Sequence, residues 1–178
     1  MSTSDGHSIK RDKLAVLLID MQKYFLNVIP FFRKRKMISE QIKILQICAK
    51  YDILLVIIEM NRHGEETVDV LKNETKKVPR VSAIRKENPS AFKNTKLNRY
   101  LKRRGIKNLI LMGVYADECV KSTAMDAIKK HGFKIITSSG LITSYMKSDT
   151  YENWFRENGQ FFDGIETLIQ AIERKEKI

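Results

Sequence analysis

Short apolar runs alternate along the chain with longer stretches in which apolar residues return every three or four positions. The runs at 14–19, 53–58, 108–112 and 133–136 are nearly unbroken, as a parallel strand buried on both faces requires. A weaker run at 80–84 and a short one at 160–162 bring the set to about six. Between them, Ile38, Ile42, Leu45 and Cys48 with Ala49 share one face of a helix over 34–50. Gly105 closes a helix over 96–104, Gly132 closes another over 121–130, and Ile165, Leu168, Ile169 and Ile172 give 164–175 an apolar face. A further helix is expected to start at 64–67, with Thr67 or its acidic neighbours serving the first turn. The β-α-β order predicts a three-layer α/β/α fold: a Rossmann-like, mostly parallel sheet of about six strands with helices on both faces. No repeat or Pro/Ser-rich linker interrupts it, so one domain over 1–178 is expected, with the polar stretch 1–12 a loose leader.

Composition narrows the class further. At 178 residues with 43% hydrophobic and 30% charged residues, the chain has enough apolar surface for a globular core. No apolar run approaches the roughly 20 residues of a membrane span, and the N-terminus lacks the apolar core of a secretory signal. Two cysteines, Cys48 and Cys119, are too few for a disulfide framework and suit a reducing, cytoplasmic setting. The formal net charge of +12 invites a nucleic-acid reading. The basic residues are nevertheless spread along the chain among acids, so a solvated basic surface is expected and a nucleic-acid partner is not.

In open α/β sheets, ligands bind beyond the carboxyl ends of the strands, which directs attention to the residues that follow each apolar run. Asp20 follows the first, Lys86 follows the weak run at 80–84, and the segment from Gly113 to Cys119 follows the run at 108–112. An acid, an ammonium and a thiol gathered at one sheet edge have the makings of a nucleophilic site, since a thiol must be deprotonated and its thiolate stabilised. Cys119 falls where a loop becomes a helix, and the positive end of the helix dipole favours the thiolate. Taken singly, each residue has a plainer reading. Cys119 is equally a small buried hydrophobe, Asp20 a turn or capping residue, and Lys86 a solvated charge.

The three segments together resemble the isochorismatase-like cysteine hydrolases, which include nicotinamidases and N-carbamoylsarcosine amidase. The resemblance rests on Ala15-Val16-Leu17-Leu18-Ile19-Asp20-Met21-Gln22 with Phe25; on Lys86 followed by Ser90-Ala91-Phe92, Thr95 and Leu97; and on Gly113-Val114 through Cys119-Val120 into Ser122-Thr123-Ala124 with Asp126-Ala127. It implies Asp20 as general base, Lys86 as its cationic partner and Cys119 as nucleophile. It also implies a cis peptide at Val114-Tyr115, with the Tyr115 and Cys119 N–H groups serving the oxyanion. Gln22, Phe25, Glu59 and Tyr115 are the expected substrate contacts, Phe25 and Tyr115 as walls and Glu59 as a partner for an amide. The implied reaction is hydrolysis of a C–N bond in a small amide, carbamoyl or ureido compound through a thioester. A homo-oligomer is expected from the same likeness.

The sequence departs from that pattern after the second strand. Nicotinamidases of the family hold a metal there through Asp-x-His and a further His, whereas this chain has only Asn61-x-His63, no second histidine follows nearby, and His131 belongs to a later helix end. A zinc or iron site needs about three protein ligands. No metal and no other cofactor is therefore expected. The basic aromatic stretch from Phe31 to Lys36 is expected to start a helix with solvated charges. The aromatic segment 145–158, with Trp154 and Phe155, exceeds the minimal fold and is expected as a lid or a contact between copies. The rival to an enzyme is a catalytically inactive or repurposed binding module with the same fold and a basic surface.

Overall fold

The unbroken apolar runs form the middle of a six-stranded sheet. A computed structural model describes residues 9–61, 65–145 and 149–174. The strands are β1 (Leu14–Ile19), β2 (Leu54–Met60), β3 (Val81–Lys86), β4 (Asn108–Gly113), β5 (Lys134–Ser138) and β6 (Gln160–Phe162), in the order β3-β2-β1-β4-β5-β6 and parallel throughout. All six residues of β1 are buried, so both faces of the sheet centre are covered. Seven helices lie among the described residues: α1 (Lys23–Leu26), α2 (Phe31–Tyr51), α3 (Asp69–Thr75), α4 (Leu97–Arg103), α5 (Lys121–His131), α6 (Asp149–Asn158) and α7 (Ile165–Glu173). The expected three-layer α/β fold is the one observed.

The strand order reverses direction between β1 and β4. Connections leave these two strands toward opposite sides, which opens a crevice at their carboxyl ends. Asp20 and the loop after Gly113 stand on its two lips, because the register pairs Ile19 with Gly113. The weak signal of β3 has a physical cause: it is the edge strand, and its residues are exposed or half-buried until Lys86 at its end.

Several expectations change on contact with the fold. The second strand continues past Ile58 to Met60, because Glu59 finds partners that make its burial tolerable. The third helix begins at Asp69, not at 64–67. Thr67 instead turns inward, its N–H and Oγ1 both donating to Glu59 Oε1 at 2.7 and 3.0 Å. The leader is docked from Ile9 onward: Ile9 is buried with its N–H on the Ala171 carbonyl, and the Arg11 guanidinium donates to the Ile172 carbonyl at 3.1 Å. The aromatics of α6 join the core, with Phe155 and Tyr151 buried. The basic aromatic stretch does start α2, at Phe31, behind Pro30.

Candidate active site

Asp20 leaves β1 in the left-handed backbone region, with φ of 52°, a conformation that Asp tolerates better than most residues. Its N–H donates to Ile58 at 2.9 Å and its carbonyl accepts the Gln22 N–H at 2.7 Å, so the reversal is pinned on both sides. Across the crevice, Gly113 has φ of 142°, and a Cβ built there would overlap the backbone of Ile19. Only glycine lets the chain after β4 pass this close to the end of β1. The Val114 N–H then donates to Ile19 at 3.1 Å, and the Val114-Tyr115 peptide is cis. A single wide turn over Ala116–Val120 follows, closed by Val120 N–H on the Tyr115 carbonyl five residues back, and runs directly into α5. Such π-type turns recur at functional sites. Cys119 lies within it.

Lys86 arrives from the edge of the sheet. Its backbone carbonyl accepts the Asn61 N–H at 2.7 Å, and its ammonium donates to the Asn88 carbonyl at 3.2 Å. The same ammonium lies 2.7 Å from Asp20 Oδ2, with both side chains essentially inaccessible to solvent. The contact is an ion pair more than an aligned hydrogen bond, and both Asp20 oxygens keep hydrogen-bonding capacity to spare. Cys119 is also buried, close enough to Asp20 and Lys86 for their charges to act on its thiol. Three strand ends that are far apart in sequence thus bring an acid, a cation and a thiol together.

Burial dominates the charges of this cluster. It holds the Asp20 carboxyl above its ordinary value, against the opposing pull of the Lys86 charge. Burial and then the Asp20 charge push the Cys119 thiol up to about 12, and Lys86 offsets this only in part. The thiolate expected from the helix dipole is therefore not the resting form. The thiol is neutral at rest and must hand over its proton before it attacks.

Residues 14–162 match the family model of the isochorismatase domain. The chain belongs to the isochorismatase family of hydrolases. Solved structures with the same fold include an isochorismatase-like hydrolase from Alkaliphilus metalliredigens, 27% identical with a TM-score of 0.74, covering 89% of this chain and 98% of that one. The MAR1 ribonuclease of Caenorhabditis elegans aligns at 20% identity with a TM-score of 0.78, over 93% of this chain and 83% of that one. N-carbamoylsarcosine amidase from Thermoplasma acidophilum aligns at 20% identity with a TM-score of 0.72, over 85% of this chain and 99% of that one. No curated protein matches the chain in sequence.

Within this isochorismatase fold the expected substrate contacts divide. Gln22 is buried and its amide is engaged with the chain: Nε2 donates to the Met60 and Glu65 carbonyls at 3.0 and 2.9 Å, and Oε1 accepts the Met60 N–H at 2.8 Å. Glu59 is held by Thr67 on one oxygen and by Arg85 at 3.4 Å on the other. Both brace the rim of the crevice. Phe25 and Tyr115 do form a wall, their rings edge to face at 5.8 Å and the Tyr115 hydroxyl donating to the Phe25 carbonyl at 3.1 Å. Tyr145 extends that wall, 5.2 Å from Tyr115.

Tyr145 opens the aromatic segment singled out at 145–158, but residues 141–144 before it carry no periodic signal. Residues 141–145 lie beside the loop after β4, where the Gly113 and Ala116 N–H groups donate to the Leu141 and Thr143 carbonyls at 2.9 Å each, and Ser144 donates to Asp117. Arg33 clamps the far side through the Ser144 and Tyr145 carbonyls. For 141–144 the hint in the sequence is position, just past the fifth strand.

Asn61 is exposed, His63 lies outside the described residues, and among the described residues no three His, Cys, Asp or Glu side chains gather to hold an ion.

Proposed function

We propose that this chain is a cysteine-dependent hydrolase that cleaves a C–N bond in a small amide, carbamoyl or ureido compound, with Cys119 as nucleophile, Asp20 as base and Lys86 as charge partner. The observation that carries the proposal is the buried Asp20–Lys86 pair at 2.7 Å with the Cys119 thiol against it. A buried ion pair is weak evidence of stabilisation by itself, so its place in the crevice beside the family's nucleophile position argues for chemistry. The amidase with the same fold supports the C–N reading.

The steps balance on one proton. Asp20 takes the thiol proton as sulfur attacks the carbonyl carbon, and the negative charge passes to the carbonyl oxygen. The Tyr115 N–H, which has no acceptor among the described residues, supports that oxyanion together with the Cys119 N–H. Collapse breaks the C–N bond while Asp20 returns its proton to the departing nitrogen. Water then enters, gives a proton to Asp20 and attacks the thioester, and sulfur leaves as thiol with that proton. Lys86 balances whichever of Asp20 or sulfur carries the charge. In a water-poor site this is worth more than the same pairing in solvent. Phe25, Tyr115 and Tyr145 offer flat apolar surface to the substrate.

The test is ammonia release from a panel of small amides, carbamoyl compounds and ureides. Turnover of at least one class is expected, and its pH profile carries a second expectation. Activity falls as acid protonates Asp20, on a limb displaced above the ordinary carboxylate value of 3.8. It stays level through the region near pH 8.5 where an ordinary thiol ionises, because Cys119 ionises only near 12. A rise in rate tracking thiol ionisation near 8.5 would count against Asp20 as the base.

A further inference from the structure

At the end of the sheet opposite Cys119, four lysines are joined through the backbone. The Lys134 N–H donates to the Lys107 carbonyl at 2.9 Å, the Lys107 N–H to Lys13 at 2.9 Å, and the Lys13 N–H to Lys10 at 3.2 Å. Lys13 and Lys107 immediately precede β1 and β4, and Lys134 opens β5, so three of them begin neighbouring strands about 4.8 Å apart. All four line one cleft of about 530 Å³, with the side-chain amides of Asn108 and Gln160, and no described carboxylate lines it.

Some lysines elsewhere on the surface are neutralised by a neighbour. Lys43, Lys50, Lys77 and Lys130 each lie against a glutamate or aspartate. Lys13, Lys107 and Lys134 make no ion pair with a described acid, although their strand positions hold them together against their mutual repulsion. Gly132, at the C-terminus of α5, also lines the cleft. A helix C-terminus carries only about half a negative charge, which leaves most of the lysine charge unbalanced.

We infer that this cleft binds a compact polyphosphate, either inorganic or as the phosphate chain of a nucleotide. A set of lysines on adjacent strands around one cleft suits a chain of linked phosphates, each of which takes a lysine as a point-charge partner. The volume lies within the range of small-molecule sites, and the concave shape gathers the charge around one ligand and not along a stripe. The site lies one strand length from Asp20, about 20 Å, and is separate from the crevice chemistry.

Calorimetric titration of inorganic triphosphate and of ATP into the whole chain at low ionic strength tests this. One saturable site is expected for both. Lys13→Gln/Lys107→Gln/Lys134→Gln should weaken it at least about tenfold, whereas Lys43→Gln/Lys50→Gln/Lys77→Gln, which removes the same charge elsewhere, should change it less than about threefold. Equal affinity for the two ligands assigns recognition to the phosphate chain, and tighter ATP adds a nucleoside contact. All six lysines are exposed, and melting curves of both variants check that they fold. The inference is overturned by absence of saturable triphosphate binding to the unmodified protein, by equal loss in the two variants, or by binding of single-stranded RNA alone.

Discussion

Cys119→Ala is expected to lower the rate of hydrolysis by at least about 10⁴-fold, the scale seen when the nucleophile of a covalent mechanism is removed. Asp20→Asn removes the proton acceptor while keeping shape, and a loss of about 10²–10⁴-fold is expected, the usual range for a general base. The double variant should be no slower than Cys119→Ala alone, since the two groups act on one proton and their effects do not multiply. Initial rates of ammonia release on the best substrate of the panel measure all three. Multiplicative losses would mean that Asp20 and Cys119 serve independent steps.

Lys86→Met is expected to cost about 3–5 kcal/mol of folding stability at neutral pH, because it strands the Asp20 carboxylate in a site closed to solvent. For a chain of this size that corresponds to about 10 °C in Tm. Asp20→Asn/Lys86→Met replaces both charges by uncharged groups and should recover most of the loss. The sign of the pH dependence follows from the direction of the Asp20 shift. A carboxyl held above its unfolded value is destabilising when ionised, so the deficit of Lys86→Met is greatest at neutral and alkaline pH and shrinks as acid protonates Asp20. Thermal melts of the two variants between pH 4 and 8 read both effects. A double variant as unstable as the single one would show that Lys86 acts through packing and not through charge.

Sheet centre and candidate site differed in how openly the sequence shows them. The runs that become β1, β2 and β4 are legible because strands covered on both faces tolerate nothing polar, and the acid and thiol directly beyond them are then easy to place. Lys86 is harder. It ends an edge strand whose residues are mostly exposed, so periodicity is faint there, and only the family likeness separates it from an ordinary surface lysine. Glu59 and Thr67 are hard to place for a shared reason: each is polar, and nothing local reveals that they satisfy one another across eight residues. The same holds for Gln22, whose amide is spent on Met60 and Glu65. The charge state of Cys119 is a matter of burial, which overrides the helix dipole and leaves no trace in a motif.

The most direct test of the mechanism is the mass of the enzyme caught during turnover. Acid quenching at successive times after mixing with a turned-over amide should reveal a species heavier by the acyl group, mapped to the peptide containing Cys119, and hydroxylamine added as a competitor for water should yield the corresponding hydroxamate. Turnover that gives neither adduct nor hydroxamate, or an adduct on a different residue, would contradict a thioester at Cys119.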